Sequence, residues 1–308
     1  MLDSLAFILG TTFMYSTPLI YTAMGGLVSE NSGVVNIGLE GMMTLGAFVG
    51  AGVAVATGNP WLGFLAAGLA GMAIASLHAI ASLFFLADQV ISGIAINFLG
   101  AGVSVFACKI FFDGTTMTPP IPMEQKMPRP LNEVFASNSF GDLVFNQYAT
   151  VYLALLLVLV LWFFLYKTHW GLRVRSVGEH PKAASTLGIH VIPVRFSCVL
   201  TSGFLAALGG AALSIAVVSN FRPTLISGQG FIALAAVIFG QWKPWRTLGA
   251  CLLFGLAQAL VVFIGGQEGI KISSQLLSML PYLLTLLILV GVVGKTRSPA
   301  ANGVPYEK

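Results

Sequence analysis

The chain has 308 residues, of which 56% are hydrophobic and 8% charged. Ordinary soluble domains carry roughly 25% charged residues, so this composition excludes a soluble globular fold and indicates a protein held in a bilayer. The net charge of +4 is no sign of nucleic-acid binding, because the basic residues gather beside apolar stretches.

Those stretches lie at roughly 5–27, 34–57, 61–86, 90–112, 148–166, 196–218, 229–241, 247–265 and 275–294. Most have about 20 residues, enough to cross a hydrocarbon core of about 30 Å. Without water each segment must satisfy its own backbone groups, which requires helices. Barrel strands would alternate over about 10 residues, and no such alternation is present. The expected fold is all-α, a polytopic helical membrane protein of about nine (eight to ten) transmembrane helices in one domain over 1–308.

The first stretch follows no basic region of the kind that marks a cleaved signal peptide, so it is expected to stay. The second has Asn36, Gly38, Glu40 and Gly41 near its start. A carboxylate at mid-bilayer costs roughly 2.5–3.5 kcal/mol on insertion scales. Glu40 and Asn36 therefore line a pathway or brace a helix break; otherwise the span begins near Met42 and both sit at the interface. In the third stretch, His78 reads as a packing residue. Asn97, Gln229 and Gln258 are amides at membrane depth. They serve either as interhelical bonds, worth about 0.6 kcal/mol on average, or as contacts for a polar solute. Gly46 with Gly50, and Ala206 with Gly210, have the small-xxx-small spacing that lets helices approach closely. Cys108, Cys198 and Cys251 fall in or beside apolar runs without metal-ligand spacing, and read as small hydrophobes.

Loop charges set the orientation. The 113–147 segment holds four acids, two basic residues and five prolines, and is expected to face outward. The 167–195 segment carries five basic residues and one acid, Lys243 and Arg246 follow the seventh stretch, and Lys295, Arg297 and Lys308 follow the ninth. Two spans separate each of these sites from the next, which puts all three in the cytoplasm. Upstream of Lys109 there is no Lys or Arg. Nine crossings place the N-terminus outside; a re-entrant segment would place it inside.

Within 171–195, GLRVRSVGEHPKAASTLGIHVIPVR, Pro181 opens and Gly188 closes a short helix, the positions those residues favour. About 10 Å long, it is too short to stand alone. It is either a plain connector or a docking element for a soluble partner, and the combination of proline start, glycine stop and mixed charge favours docking. The seventh stretch is short and suits a broken or re-entrant helix. Its start, QGFIAL at 229–234, echoes EGMMTL at 40–45. Paired interrupted segments of this kind point to a substrate path in transporters built from repeats. GVVGKT at 291–296 is not a phosphate-binding loop, because Leu289 stands where the motif needs glycine. With no clustered His, Asp or Cys, no catalytic residue, metal or cofactor is expected.

Four passages together resemble one family. NSGVVNIGLEGMMTLG at 31–46, ADQVISGIAIN at 87–97, VGEHPKAASTLGI at 177–189 and GQGFIALAAVIFG at 228–240 are similar to permease subunits of bacterial ABC importers. The branch is that of simple-sugar and nucleoside permeases, akin to ribose and branched-chain amino-acid permeases, and NIGLEGMM most resembles the nucleoside form. The resemblance implies a multi-pass subunit of the bacterial cytoplasmic membrane with its C-terminus inside. It implies a second permease in a heterodimer, a separate ATPase and an extracytoplasmic binding protein. It makes the helix at about 180–188 a coupling helix, with Glu179, His180, Pro181, Lys182, Ala183, Ala184 and Gly188 at the ATPase. It makes Asn36, Glu40, Asn97 and Gln229 the substrate pathway; Gln229 departs from the arginine of many relatives. The expected function is inward passage of a nucleoside, or alternatively a simple sugar, by alternating access. An ion-coupled transporter would need paired intramembrane acids, whereas Glu40 stands as one.

Overall fold

The computed structural model describes residues 2–132, 134–136, 139–266, 273, 276–277, 279–283 and 297–307. The elements in chain order are α1 (Leu2–Asn31), α2 (Leu39–Thr57), α3 (Pro60–Leu83), α4 (Gln89–Phe111), α5 (Phe140–Phe145) and α6 (Ala149–Lys167). They continue with α7 (His169–Glu179), α8 (Pro181–Thr186), α9 (Val191–Ala211), α10 (Gln229–Phe239) and α11 (Pro244–Gly265). A π-wound extension, Ala212–Val218, prolongs α9, and no strand occurs among the described residues. Local chemistry sets several starts. Asn59 Oδ1 accepts the Trp61 N–H at 2.9 Å with Pro60 at the first helical position, and Asp88 Oδ1 accepts from Val90 at 2.8 Å and Ile91 at 2.9 Å. Both satisfy amides that a helix cannot pair by itself.

Among the described residues, six helices are long and apolar enough to cross a membrane: α2, α3, α4, α6, α9 with its extension, and α11. The expectation of nine is not confirmed at that count. The seventh stretch folds as α10, only 11 residues long, and the 275–294 stretch lies largely outside the described residues, as does GVVGKT. The first stretch is helical but departs from the apolar composition of a span. Its residues Ser16–Asn31 are all buried, and the helix packs against α9, α10, α11 and α6. Surrounded by protein, α1 tolerates hydroxyls that bond back along its own turns. Ser16, Thr17 and Thr22 donate to the carbonyls of Thr12 at 2.6 Å, Phe13 at 2.8 Å and Pro18 at 2.9 Å.

Glycines set the closest helix contacts. A Cβ on Gly210 of α9 would strike the Met43 carbonyl of α2, one on Gly46 the Ala207 carbonyl, and one on Gly71 of α3 the Gly203 carbonyl. The small-xxx-small spacing in α2 and α9 thus marks a real seam. Dispersion and close backbone approach hold it, since lipid offers little hydrophobic drive between helices.

The polar 167–195 stretch is more ordered than expected. It contains α7 as well as the short helix, which is α8, and α9 already begins at Val191. Arg195 therefore lies inside a helix, fully buried. Its Nε donates to Ser32 O and its Nη1 to Val304 O, both at 3.1 Å; carbonyl partners offset the cost of burying the charge. The 113–147 segment is also built, with α5 and a 3₁₀ turn at Met123–Gln125. Ile121 N–H donates to Ser219 O at 2.7 Å, and Phe221 N–H to Thr118 Oγ1 at 2.9 Å. This segment is so stitched to the far end of α9.

Gly210→Val should separate α2 from α9. The expected result is a loss of about 1–3 kcal/mol, the usual cost of overpacking, read as a lower melting temperature in detergent. Gly249→Ala, where a Cβ meets nothing within 4 Å, should melt no earlier than the parent chain.

Candidate functional site

Between α1 and α2 the chain leaves helical geometry at 32–38. The break is buried, so its peptide groups need partners from elsewhere in the fold. Neighbouring side chains supply them. Gln89 Oε1 accepts the Val35 N–H at 2.8 Å, and His78 Nε2 donates to Val35 O at 3.1 Å. Because Nε2 carries that proton in the neutral ring, Nδ1 accepts from the Ser92 hydroxyl at 2.9 Å. Ser29 Oγ donates to Val34 O at 2.7 Å. Asn97 spans the end of the break, donating to Ile37 O at 3.1 Å and accepting from Gly41 N–H at 2.8 Å. Asn36, fully buried, donates to Ser202 Oγ at 2.9 Å and accepts from Gly38 N–H at 3.1 Å.

With the first turn of α2 fixed in this way, Glu40 is aimed at α10. Its Oε1 accepts from Gly228 N–H at 2.6 Å and its Oε2 from Gly230 N–H at 2.7 Å, with Phe231 N–H also bonded to the carboxylate. A carboxylate at a helix N-terminus satisfies unpaired amides and faces the positive end of the helix dipole. Gly230 is required for this approach, since a Cβ there would sit 2.6 Å from Glu40 Cα. The two echoing segments, 40–45 and 229–234, thus meet at their starts.

Gln229 is placed differently. Its Oε1 is buried without a hydrogen-bond partner. With Tyr15, Gln258 and Tyr282 it lines a cavity of about 220 Å³ between α1, α10 and α11. Tyr282 O–H donates to Ser227 O at 2.5 Å at the rim of that cavity. Asn36, Glu40 and Asn97 therefore belong to one polar brace that closes on the backbone N–H groups of Gly228 and Gly230, on either side of Gln229, while the Gln229 side chain lines the cavity.

Residues 179–188 sit at the C-terminal end of α1, beside the start of the 32–38 break, where a Cβ on Gly178 would strike the Asn31 carbonyl. Glu179 ends α7, His180 is the non-helical joint, and Pro181 starts α8. Lys182 and Ala183 are exposed, whereas Ala184 is buried against Val177 and Val191. Gly188 has φ +83°, the left-handed conformation that glycine adopts without steric cost, and its N–H donates to Ser185 O at 3.0 Å. Leu187 beside it is 82% exposed. The corner between α10 and α11 lies at this same end, since the Trp242 indole N–H donates to Glu30 Oε2 near the end of α1. Segment 297–307 does too, with Ala301 N–H donating to Gly178 O at 2.9 Å. The three basic regions thus share one end of the bundle. The 113–147 segment lies at the other, where Gly10 of α1 packs on the Leu143 carbonyl.

Sequence reasoning did not single out Glu30, Gln89, Ser202 or the interior position of Arg195. An isolated Glu30 closing an apolar stretch was the available signal, since nothing nearby carries a positive charge.

Such a bundle, with a polar-braced break at one depth and a short exposed helix at one end, is that of a multi-pass membrane transport component. Residues 8–290 match the family described as the branched-chain amino acid transport system / permease component. The chain belongs to that family. It is 44% identical to the guanosine ABC transporter permease protein NupQ of Bacillus subtilis, over 99% of this chain and 97% of that one. It is 40% identical to the nucleoside ABC transporter permease protein NupC of Lactococcus lactis subsp. cremoris, over 99% and 98%. It is 36% identical to the putative glucose ABC transporter permease protein TsgC13 of Haloferax volcanii, over 94% and 93%.

Glu40→Ala should leave the first amides of α10 unpaired. The expected loss is about 1.5–3 kcal/mol, the scale of hydrogen bonds to a charged group, seen as earlier thermal unfolding with reduced uptake. Glu40→Gln keeps one acceptor and should lose less. Equal, unperturbed melting in both variants would show that the carboxylate does not hold α10.

Proposed function

We propose that this chain is the membrane-spanning subunit of an ABC importer that carries nucleosides inward by alternating access. The observation that carries this reading is the near full-length match, at 44% and 40% identity, to permeases named for guanosine and nucleoside. The glucose permease relative at 36% favours a simple sugar as the second reading.

The subunit lies in a bacterial cytoplasmic membrane with its basic end inside. On that orientation the start of α1 is outside and segment 297–307 is cytoplasmic. Nine crossings result when α1, α10 and the 275–294 stretch are added to the six apolar helices. The fold has a single domain in which two related halves meet at Glu40 and Gly230. A second, related permease completes the core as a heterodimer, an extracytoplasmic binding protein delivers the solute, and a separate ATPase supplies the energy.

The residues divide the work. Residues 179–188 form the coupling element: α8 presents Lys182, Ala183 and Leu187 to a groove on the ATPase, and Gly188 turns the chain back into α9. Glu40, Asn36 and Asn97 fix where α10 begins along the pathway. Gln229 lines the pathway itself, since its unpartnered oxygen and the nearby Gln258 amide offer hydrogen bonds to a polar solute. The chain does no covalent chemistry. Its task is to bind solute differently in two conformations, the only way a ligand-linked switch can move cargo.

The test is uptake by the reconstituted importer. Guanosine entry should require ATP, be competed by other nucleosides and be indifferent to glucose. Competition by glucose alone would replace the nucleoside with a sugar, and uptake driven by an ion gradient without ATP would sink the importer reading. Gly188→Val forces a β-branched residue into a left-handed conformation costing about 1–2 kcal/mol. It should abolish ATP-dependent uptake while membrane insertion stays normal.

A further inference from the structure

Segment 297–307 crosses the end of the bundle that carries α8, and its bonds run to several elements at once. On one side, Ala301 N–H donates to Gly178 O at 2.9 Å and Ala300 N–H to Glu179 Oε2 at 3.3 Å. Gly178 and Glu179 are the last residues of α7, just before α8. On the other side, Val304 O accepts from Arg195 Nη1 at 3.1 Å, and the same guanidinium reaches Ser32 O at the 32–38 break. Between them, Asn302 Nδ2 donates to Glu30 Oε2 at 3.4 Å. That oxygen also takes the Trp242 indole N–H, and Asn31 Nδ2 donates to Trp242 O at 3.3 Å. Tyr306 packs on the small apolar cluster of Val177, Ala184 and Val191.

Alone, α8 has little hold on the bundle. It is six residues long and buries Ala184, and a helix of that length has no stability of its own. A load at α8 therefore reaches the membrane through the short link into α9 and through whatever anchors the α7–α8 corner. Segment 297–307 ties that corner to the end of α1, to the buried arginine of α9 and to the α10–α11 turn. The turn is itself strained: Gln241 and Trp242 hold φ values of +53° and +54°, a conformation that persists in non-glycine residues only where surroundings impose it. Glu40 grips the opposite end of α10, so α10 is clamped at both ends.

We propose that Ala301, Asn302 and Val304 are positioning residues that transmit displacement of the α7–α8 corner to α10 through Glu30 and Trp242. This couples nucleotide hydrolysis to solute movement, and it rests on the reading of α8 as the docking element. Ala301 and Val304 act through backbone hydrogen bonds and Asn302 through its side-chain amide, and none of the three touches solute.

The experiment measures guanosine uptake and ATP hydrolysis in parallel on the reconstituted complete importer. Asn302→Asp sets a carboxylate against Glu30 and removes the donor. Solute moved per ATP should fall at least about fivefold, a typical size for a coupling between sites, with assembly and hydrolysis retained. Adding Glu30→Gln reverses donor and acceptor, because the new amide can donate across the pair while its oxygen still accepts from Trp242. The double variant should restore the parent ratio. A purely structural contact would lower the amount of assembled complex and leave the ratio intact, which overturns the proposal, as does failure of the double variant to restore it. If the charged variant does not assemble, Asn302→Ala removes the donor without adding charge and is read the same way. Failure of the docking reading is distinguishable, since Leu187→Asp, just after α8, would then leave binding of the ATPase unchanged.

Discussion

An interruption of helix within a bilayer is tolerated only where other groups satisfy the exposed peptides. The 32–38 break sets that requirement, and much of the polar chemistry of this bundle exists to meet it. Gln89, His78, Asn97, Asn36 and Ser29 each give at least one bond to that short run of backbone. These residues come from α1, α3, α4 and the break itself, so the interruption also fastens the helices around it. Removing any one partner leaves a buried peptide group unpaired, a cost larger than the bond's own net contribution. The break is therefore rigid even though it is irregular.

That rigidity has a direction. Fixing Gly38 and Gly41 fixes the axis on which α2 starts, and Glu40 then projects to the first amides of α10. A short helix in the bilayer has few ways to satisfy its N-terminal donors, and α10 borrows a carboxylate from a distant part of the chain. The glycine seam between α2 and α9 brings the two halves close enough for this reach. Close packing, a satisfied break and a capped short helix are thus successive consequences of one local departure from helix.

How much of this was legible beforehand depended on whether the signal was local. Composition and run length identified a helical membrane protein, and Pro181 with Gly188 marked α8 within a residue or two. The spacing of Gly46, Gly50 and Gly210 marked a seam, because close approach leaves a direct trace in residue size. The partners of those elements left no such trace. Asn97 and Gln89 look alike in sequence, as amides near an apolar run, yet one closes the break at Gly41 and the other at Val35. Arg195 read as loop because a charge inside a helix in the membrane is costly. Its carbonyl partners, at Ser32 and Val304, lie 163 and 109 residues away in sequence. The apolar stretch at 5–27 marked α1, whose hydroxyls are admissible because protein packs around most of its length.

The placement of Glu40 bears on where the driving energy enters. An intramembrane acid invites a reading as a proton or ion relay, the usual role of such groups in transporters. Here both oxygens accept backbone N–H groups at the start of α10, at 2.6 and 2.7 Å. Protonation would turn an acceptor into a donor facing amides that are themselves donors, so cycling the charge would release α10 on each turnover. A clamp is useful only if it stays shut while the helix it holds is moved as a unit. On the importer reading proposed above, the energy for that movement enters at the end of the bundle where α8 is exposed and where Glu30, Arg195 and segment 297–307 gather. The electrostatics of the interior and the geometry of that exposed end both fit the division of labour proposed for the importer: a passive, tightly braced conduit and a separate source of force.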